Sequence, residues 1–132
     1  MPPEIRKPRP KYLALHQIRL PLAGYASILH RVSGAGLFLM LPLLIWLLQL
    51  SLASSAESAA MFGAVTGNLL VKLILLGLLW AFLHHFCMGI RILLIDIQIG
   101  VEKQQAHASA VAVMVVSLIL TLIFGLKLLG AY

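Results

Sequence analysis

"LILLGLLWAFLHHFCMGI", residues 73–90, runs for eighteen positions without an Asp, Glu, Lys or Arg, yet carries two adjacent histidines. About 20 residues rising 1.5 Å each cross the ~30 Å hydrocarbon layer of a bilayer, so this stretch reads as most of one membrane-crossing helix. Two further uncharged stretches flank it, Val32–Ala56 and Gln104–Leu126. The spans are placed near 30–53, 69–94 and 107–129. The reading is an all-α integral membrane protein in two parts: 1–29, an N-terminal arm with the start of the first helix, and 30–132, a three-helix transmembrane domain. Composition agrees, since 61% of the 132 residues are hydrophobic and 11% are charged. A soluble domain of this length could not bury so much apolar surface.

Charge sets the orientation. Arg6, Lys7, Arg9, Lys11, Arg19 and Arg31 precede or open the first span, and Arg91 and Lys103 stand near the turn between the second and third. That side is expected to be cytoplasmic. The other side has only Lys72 and Lys127, each near enough to a helix end to snorkel into the interface. The N-terminus is therefore read as cytoplasmic and Tyr132 as periplasmic. The first twelve residues, "MPPEIRKPRPKY", have no apolar core and are rich in proline, so they read as an extended arm against the surface or a soluble partner. Without the look of an organelle transit peptide, the chain is assigned to a bacterial inner membrane. Ser51–Asn68, small and polar, reads as an outer connection.

The net charge of +6 does not point to nucleic acid, because the basic residues crowd the first 31 positions with no aromatic interleaving. One cysteine, Cys87, excludes an internal disulfide and offers no zinc or iron–sulfur ligand set; it reads as a small packing residue.

Two polar clusters remain. In "SILHRVSG", residues 27–34, Ser27, His30 and Arg31 share one side of a helix at the cytoplasmic end of the first span. Two readings fit. Ser27 can be a helix cap and Arg31 an interfacial anchor; or Arg31, with its permanently charged fork of donors, can face an oxygen that gains negative charge on reduction. The second cluster is "HHFCMGIRILLID", residues 84–96. Neighbours on a helix are about 100° apart, so His84 and His85 are expected to face differently. His85 is favoured as the functional one, because Gly89 leaves space one turn on and Asp96 returns to the same face. An interhelical hydrogen bond and a metal ligand both fit such a histidine. His85 lies roughly 9 Å inward of Arg91 by helical rise. If it holds a haem iron, the propionates would turn towards water, where His30 and Arg31 stand. Gly34 and Gly36 are read as admitting a neighbouring helix close to the first span. His107 reads as interfacial. Trp46, Trp80, Phe82, Phe86 and Met88 read as packing or lipid contacts.

Nearly the whole chain resembles the cytochrome b556 membrane-anchor subunits of succinate dehydrogenase, respiratory complex II. Their first signature is matched by Arg9, Pro10, Leu15, Leu22, Ser27, His30, Arg31 and Ser33, with Lys11 where an apolar residue is preferred. The second is matched by His85, Gly89, Ile90, Arg91 and Asp96. Ile92 stands where the family often has His or Phe, Ile95 where an aromatic or Met is usual, and Gln98 where a small residue is expected. The resemblance implies a four-subunit enzyme: a flavoprotein oxidising succinate, an iron–sulfur subunit relaying electrons, and two membrane anchors. It implies haem b shared with the second anchor, with His85 as this chain's axial ligand, and a ubiquinone pocket. There Ser27 would bond a quinone carbonyl and Arg31 would stabilise charge on the reduced quinone. No catalytic residue for succinate is expected in this chain. A purely structural anchor, and a small proton-conducting subunit using the histidines as a relay, are the alternatives.

Overall fold

The computed structural model describes residues 17–130. The N-terminal arm lies outside the described residues, and so do Arg9, Pro10, Lys11 and Leu15 of the first signature and Tyr132 at the end. Four helices follow in chain order: α1 Leu22–Leu52, α2 Ala56–Gly67, α3 Leu69–Asp96 and α4 Lys103–Leu128. There is no strand among the described residues. α1, α3 and α4 are each long and apolar enough to cross a membrane, so the all-α, three-span architecture holds. Hydrocarbon offers no partner for backbone N–H and C=O, and a helix satisfies both within one segment.

Local chemistry sets the helix ends. Pro21, extended at φ −67° and ψ 158°, precedes α1, and the Gly24 N–H donates back to its carbonyl at 2.8 Å. Ser27 thus lies inside the helix, more than a turn past its start, and is not its cap. The segment read as a polar connection is largely helical. Ser55 accepts a hydrogen bond from the Ser58 N–H at 3.1 Å, and Glu57 lies in the first turn of α2, where negative charge suits the helix dipole. Its run of alanines and small residues favours a helix but carries no apolar stripe to announce one. Asn68 ends α2 and caps α3, its Oδ1 accepting from the N–H groups of Leu70 at 2.9 Å and Val71 at 3.4 Å. The turn into α4 places Gln98 at φ 64° and Gly100 at φ 77°. The left-handed region favours glycine, which gives a backbone reason for a small residue at position 98.

α3 is the central helix, packed along both α1 and α4. Ala26, Met88, Ala110 and Val113 form the buried cluster, with Ala23, Cys87, Ile92 and Met114 against it. Three alanines in this set bring the helix backbones close, and Cys87 takes its expected packing role. Outside it, large apolar side chains such as Phe38 (72% exposed) and Leu39 (68%) point outward, a surface suited to lipid or to another membrane helix.

Arg91, read from the sequence as one of the charges near the turn between the second and third spans, packs into the bundle. It is only 9% exposed. Its Nε donates to Ser109 Oγ at 3.0 Å, Nη2 to the Ala106 carbonyl at 3.1 Å, and Nη1 reaches Met88 Sδ at 3.9 Å. The guanidinium clamps α3 to the first turns of α4.

Candidate haem and quinone site

α1 and α3 run antiparallel, so residues near the start of α1 meet those near the end of α3. That juxtaposition brings the two polar clusters together. His85 Nδ1 lies 3.1 Å from the carbonyl oxygen of His30 and 3.4 Å from Ser33 Oγ, while the Ser33 hydroxyl donates to the same His30 carbonyl at 2.9 Å. A carbonyl only accepts, so Nδ1 is the donor in this contact. No protein group among the described residues is bonded to Nε2 of the same ring. The His30 ring stacks on the His85 ring, centroids 4.2 Å apart and 16° from parallel.

His84 has another environment. It is completely buried, its Nε2 is 3.4 Å from the Ala26 carbonyl, and its ring stacks on Trp80 with centroids 5.3 Å apart. Its Nδ1 is buried without a hydrogen-bond partner among the described residues, as is Trp80 Nε1. The two imidazoles do face differently, one interior and one half-buried on the flank. Both nevertheless lean on α1, at carbonyls one turn apart, an alignment that the 100° rule for neighbours does not reveal.

Ser27 is half-buried and Arg31 exposed, and neither side chain makes a hydrogen bond among the described residues. They stand one turn apart on α1, about 6 Å by helical rise, with His30 between them turned to α3. Gly89 has nothing within 4 Å of where a Cβ would sit, which agrees with open space one turn past His85. Gly36 is likewise open, so only Gly34 of the expected pair is closely approached, and the approaching group is the His85 ring itself. Asp96 is exposed at the end of α3, and His107 is exposed in the first turns of α4.

The arrangement supplies one imidazole with its Nδ1–H fixed on a carbonyl and an Nε2 that meets no protein group among the described residues, able to offer its lone pair when the ring is neutral. That is the donor state an axial haem ligand requires, and the carbonyl behind Nδ1 is the usual orienting partner of a metal-bound histidine. His84 offers no such donor, because Nε2 is engaged and Nδ1 is sealed in the core. Two residues to which the sequence reading gave no part in the site also enter it: Ser33 of the first signature, 3% exposed beside Nδ1, and Gly34 against the ring.

Residues 5–124 match the family model described as succinate dehydrogenase/fumarate reductase transmembrane subunit. Curated relatives include the succinate dehydrogenase cytochrome b556 subunit of Paracoccus denitrificans, 34% identical over 115 residues, covering 87% of this chain and 88% of the relative. The subunit of the same name from Coxiella burnetii is 34% identical over 117 residues, covering 89% and 94%. That from Rickettsia felis is 30% identical over 120 residues, covering 91% and 93%.

Proposed function

The chain belongs to the family of succinate dehydrogenase and fumarate reductase transmembrane subunits, and on that premise we propose that it is the haem b-binding anchor of a succinate:quinone oxidoreductase. It attaches the flavoprotein and iron–sulfur subunits to a bacterial inner membrane, pairs with a second anchor subunit, and contributes Ser27 and Arg31 to a ubiquinone-reduction pocket. Its N-terminus is cytoplasmic and its C-terminus periplasmic. The observation that carries the haem assignment is His85: a free Nε2 beside a protonated Nδ1 held by the His30 carbonyl.

When bound, haem b supplies a one-electron store within the membrane. His85 would hold the iron from one side, with His30 and Arg31 as the groups for its carboxylates. His84 is sealed in the core and the His30 ring lies against His85. In keeping with the resemblance, the haem would be shared with the second anchor subunit, which would supply the remaining ligand. For the quinone, Ser27 donates a neutral hydrogen bond to a carbonyl oxygen and orients the ring. Arg31 presents charged donors to the oxygen that becomes negative on reduction, and in a water-poor pocket such a contact is worth more than in water. The chain has no part in binding succinate.

The deciding experiment is a reduced-minus-oxidised optical spectrum of the purified complex. A b-type band that His85→Ala abolishes supports the cytochrome reading; a complex without one is a structural anchor or a proton relay.

A further inference from the structure

We infer that Ser33 and Gly34 form a seat that fixes the imidazole of His85, so that both are positioning residues for the haem ligand; this rests on the proposed ligand role of His85. A Cβ built on Gly34 would stand 2.8 Å from His85 Cε1, 3.2 Å from Nδ1 and 3.8 Å from Nε2. Carbon atoms do not pack at 2.8 Å, so any side chain at position 34 forces a movement. The ring cannot yield freely. The His30 imidazole covers one face at 4.2 Å, and Nδ1 is held by the His30 carbonyl at 3.1 Å and Ser33 Oγ at 3.4 Å. Turning away from a new methyl group would break that N–H contact and swing Nε2 with it.

Ser33 adds direction. Its hydroxyl proton is committed to the His30 carbonyl at 2.9 Å, so its oxygen presents lone pairs to Nδ1–H. The serine is 3% exposed, in a span where a buried hydroxyl needs a reason. Two acceptors around one N–H hold the tautomer and make the opposite nitrogen a better electron donor, which favours ferric over ferrous iron. Gly36, two residues on, supplies the contrast: it has the same residue type in the same helix, with nothing within 4 Å.

The test uses the intact four-subunit complex, with haem counted per flavin. Low-spin electron paramagnetic resonance and redox titration give ligand geometry and midpoint potential. Gly34→Ala should lose haem or displace the low-spin signal, and Gly36→Ala should leave both unchanged. Ser33→Ala should retain haem and raise its potential, because one acceptor on Nδ1–H is gone. Should Gly34→Ala fail to assemble, Ser33→Ala decides: a raised potential supports the seat and an unchanged one overturns it. A complex in which His85→Ala retains a normal haem defeats the ligand assignment itself. Haem lost in His85→Ala but unchanged in signal and potential in both Gly34→Ala and Ser33→Ala overturns the seat and leaves the assignment standing.

Discussion

The imidazole of His85 lies 4.2 Å above that of His30, 16° from parallel, with its Nδ1 3.1 Å from the carbonyl oxygen of that same residue. The hydrogen bond is to main chain, so it survives replacement of the His30 side chain. His30→Ala should therefore keep most of the haem while shifting its absorption band, whereas His85→Ala should lose it. Haem content per flavin and the optical difference spectrum separate the two; equal loss from both would mean that the His30 side chain, through its ring stack or at the haem carboxylates, is needed to hold the haem.

His84→Ala should behave as a core deletion. The residue is fully buried between α1 and α3, and removing a large buried side chain costs about 2–5 kcal/mol. The complex should unfold at lower temperature, yet the haem per folded enzyme should stay near that of the parent. Thermal inactivation followed alongside the b-type band checks this, and haem loss from an otherwise stable His84→Ala complex would contradict it.

Arg91 makes a different kind of prediction, because its three contacts all tie α3 to itself or to α4. Arg91→Ala leaves the Ala106 carbonyl and Ser109 without that partner inside the bundle. A loss of about 1–3 kcal/mol follows, near the cost of an unmatched buried polar group. Arg91→Lys should restore less than half, since one ammonium cannot reach three acceptors in the directions of the fork. Melting temperatures of the purified complexes give the comparison, and an unchanged melting point in Arg91→Ala would show the clamp to be energetically idle.

Orientation can be tested independently of the site. Eight of the ten Lys and Arg residues lie on the side of the N-terminus and the α3–α4 turn, and two on the other. A reporter that is active only after export should work when fused behind Tyr132, and one that is active only in the cytoplasm should not. The reverse pattern would place Ser27 and Arg31 at the outer surface.

The three long helices were legible because eighteen or more residues in a row without Asp, Glu, Lys or Arg, most of them apolar, leave few alternatives. α2 was not, since Ala56–Gly67 has helix-forming residues but no apolar period. The preference for His85 over His84 rested on the space at Gly89 and the signature around it. The His30 carbonyl that holds His85 Nδ1 was not legible, because it is 55 residues away in the chain. Arg91 looked like a boundary charge because nothing in its own helix shows that Ala106 and Ser109 come to meet it. Long-range partners of this kind are set by helix pairing, which periodicity within one segment does not encode.

The last prediction separates the quinone pocket from the haem. Ser27 and Arg31 stand a turn apart on α1, and neither side chain is bonded within the described residues, so both are available to a bound molecule. In the proposed pocket Ser27 would contribute one neutral hydrogen bond, worth about 0.5–1.5 kcal/mol net, so Ser27→Ala should lower quinone reduction by roughly two- to tenfold. The haem should stay in place. In the proposed pocket Arg31 would contribute a charge-assisted bond that strengthens as the quinone oxygen gains charge, so Arg31→Ala should reduce turnover by more, on the order of a hundredfold for about 3 kcal/mol. Arg31→Lys should recover part of that loss, because a point charge replaces a planar fork. If, as proposed, the dicarboxylate site lies in another subunit, succinate oxidation with a soluble artificial acceptor should remain near the parent level in all three variants. The measurement is succinate:quinone reductase activity in membranes of matched flavin content, and full activity in both Ser27→Ala and Arg31→Ala would remove these residues from the quinone pocket.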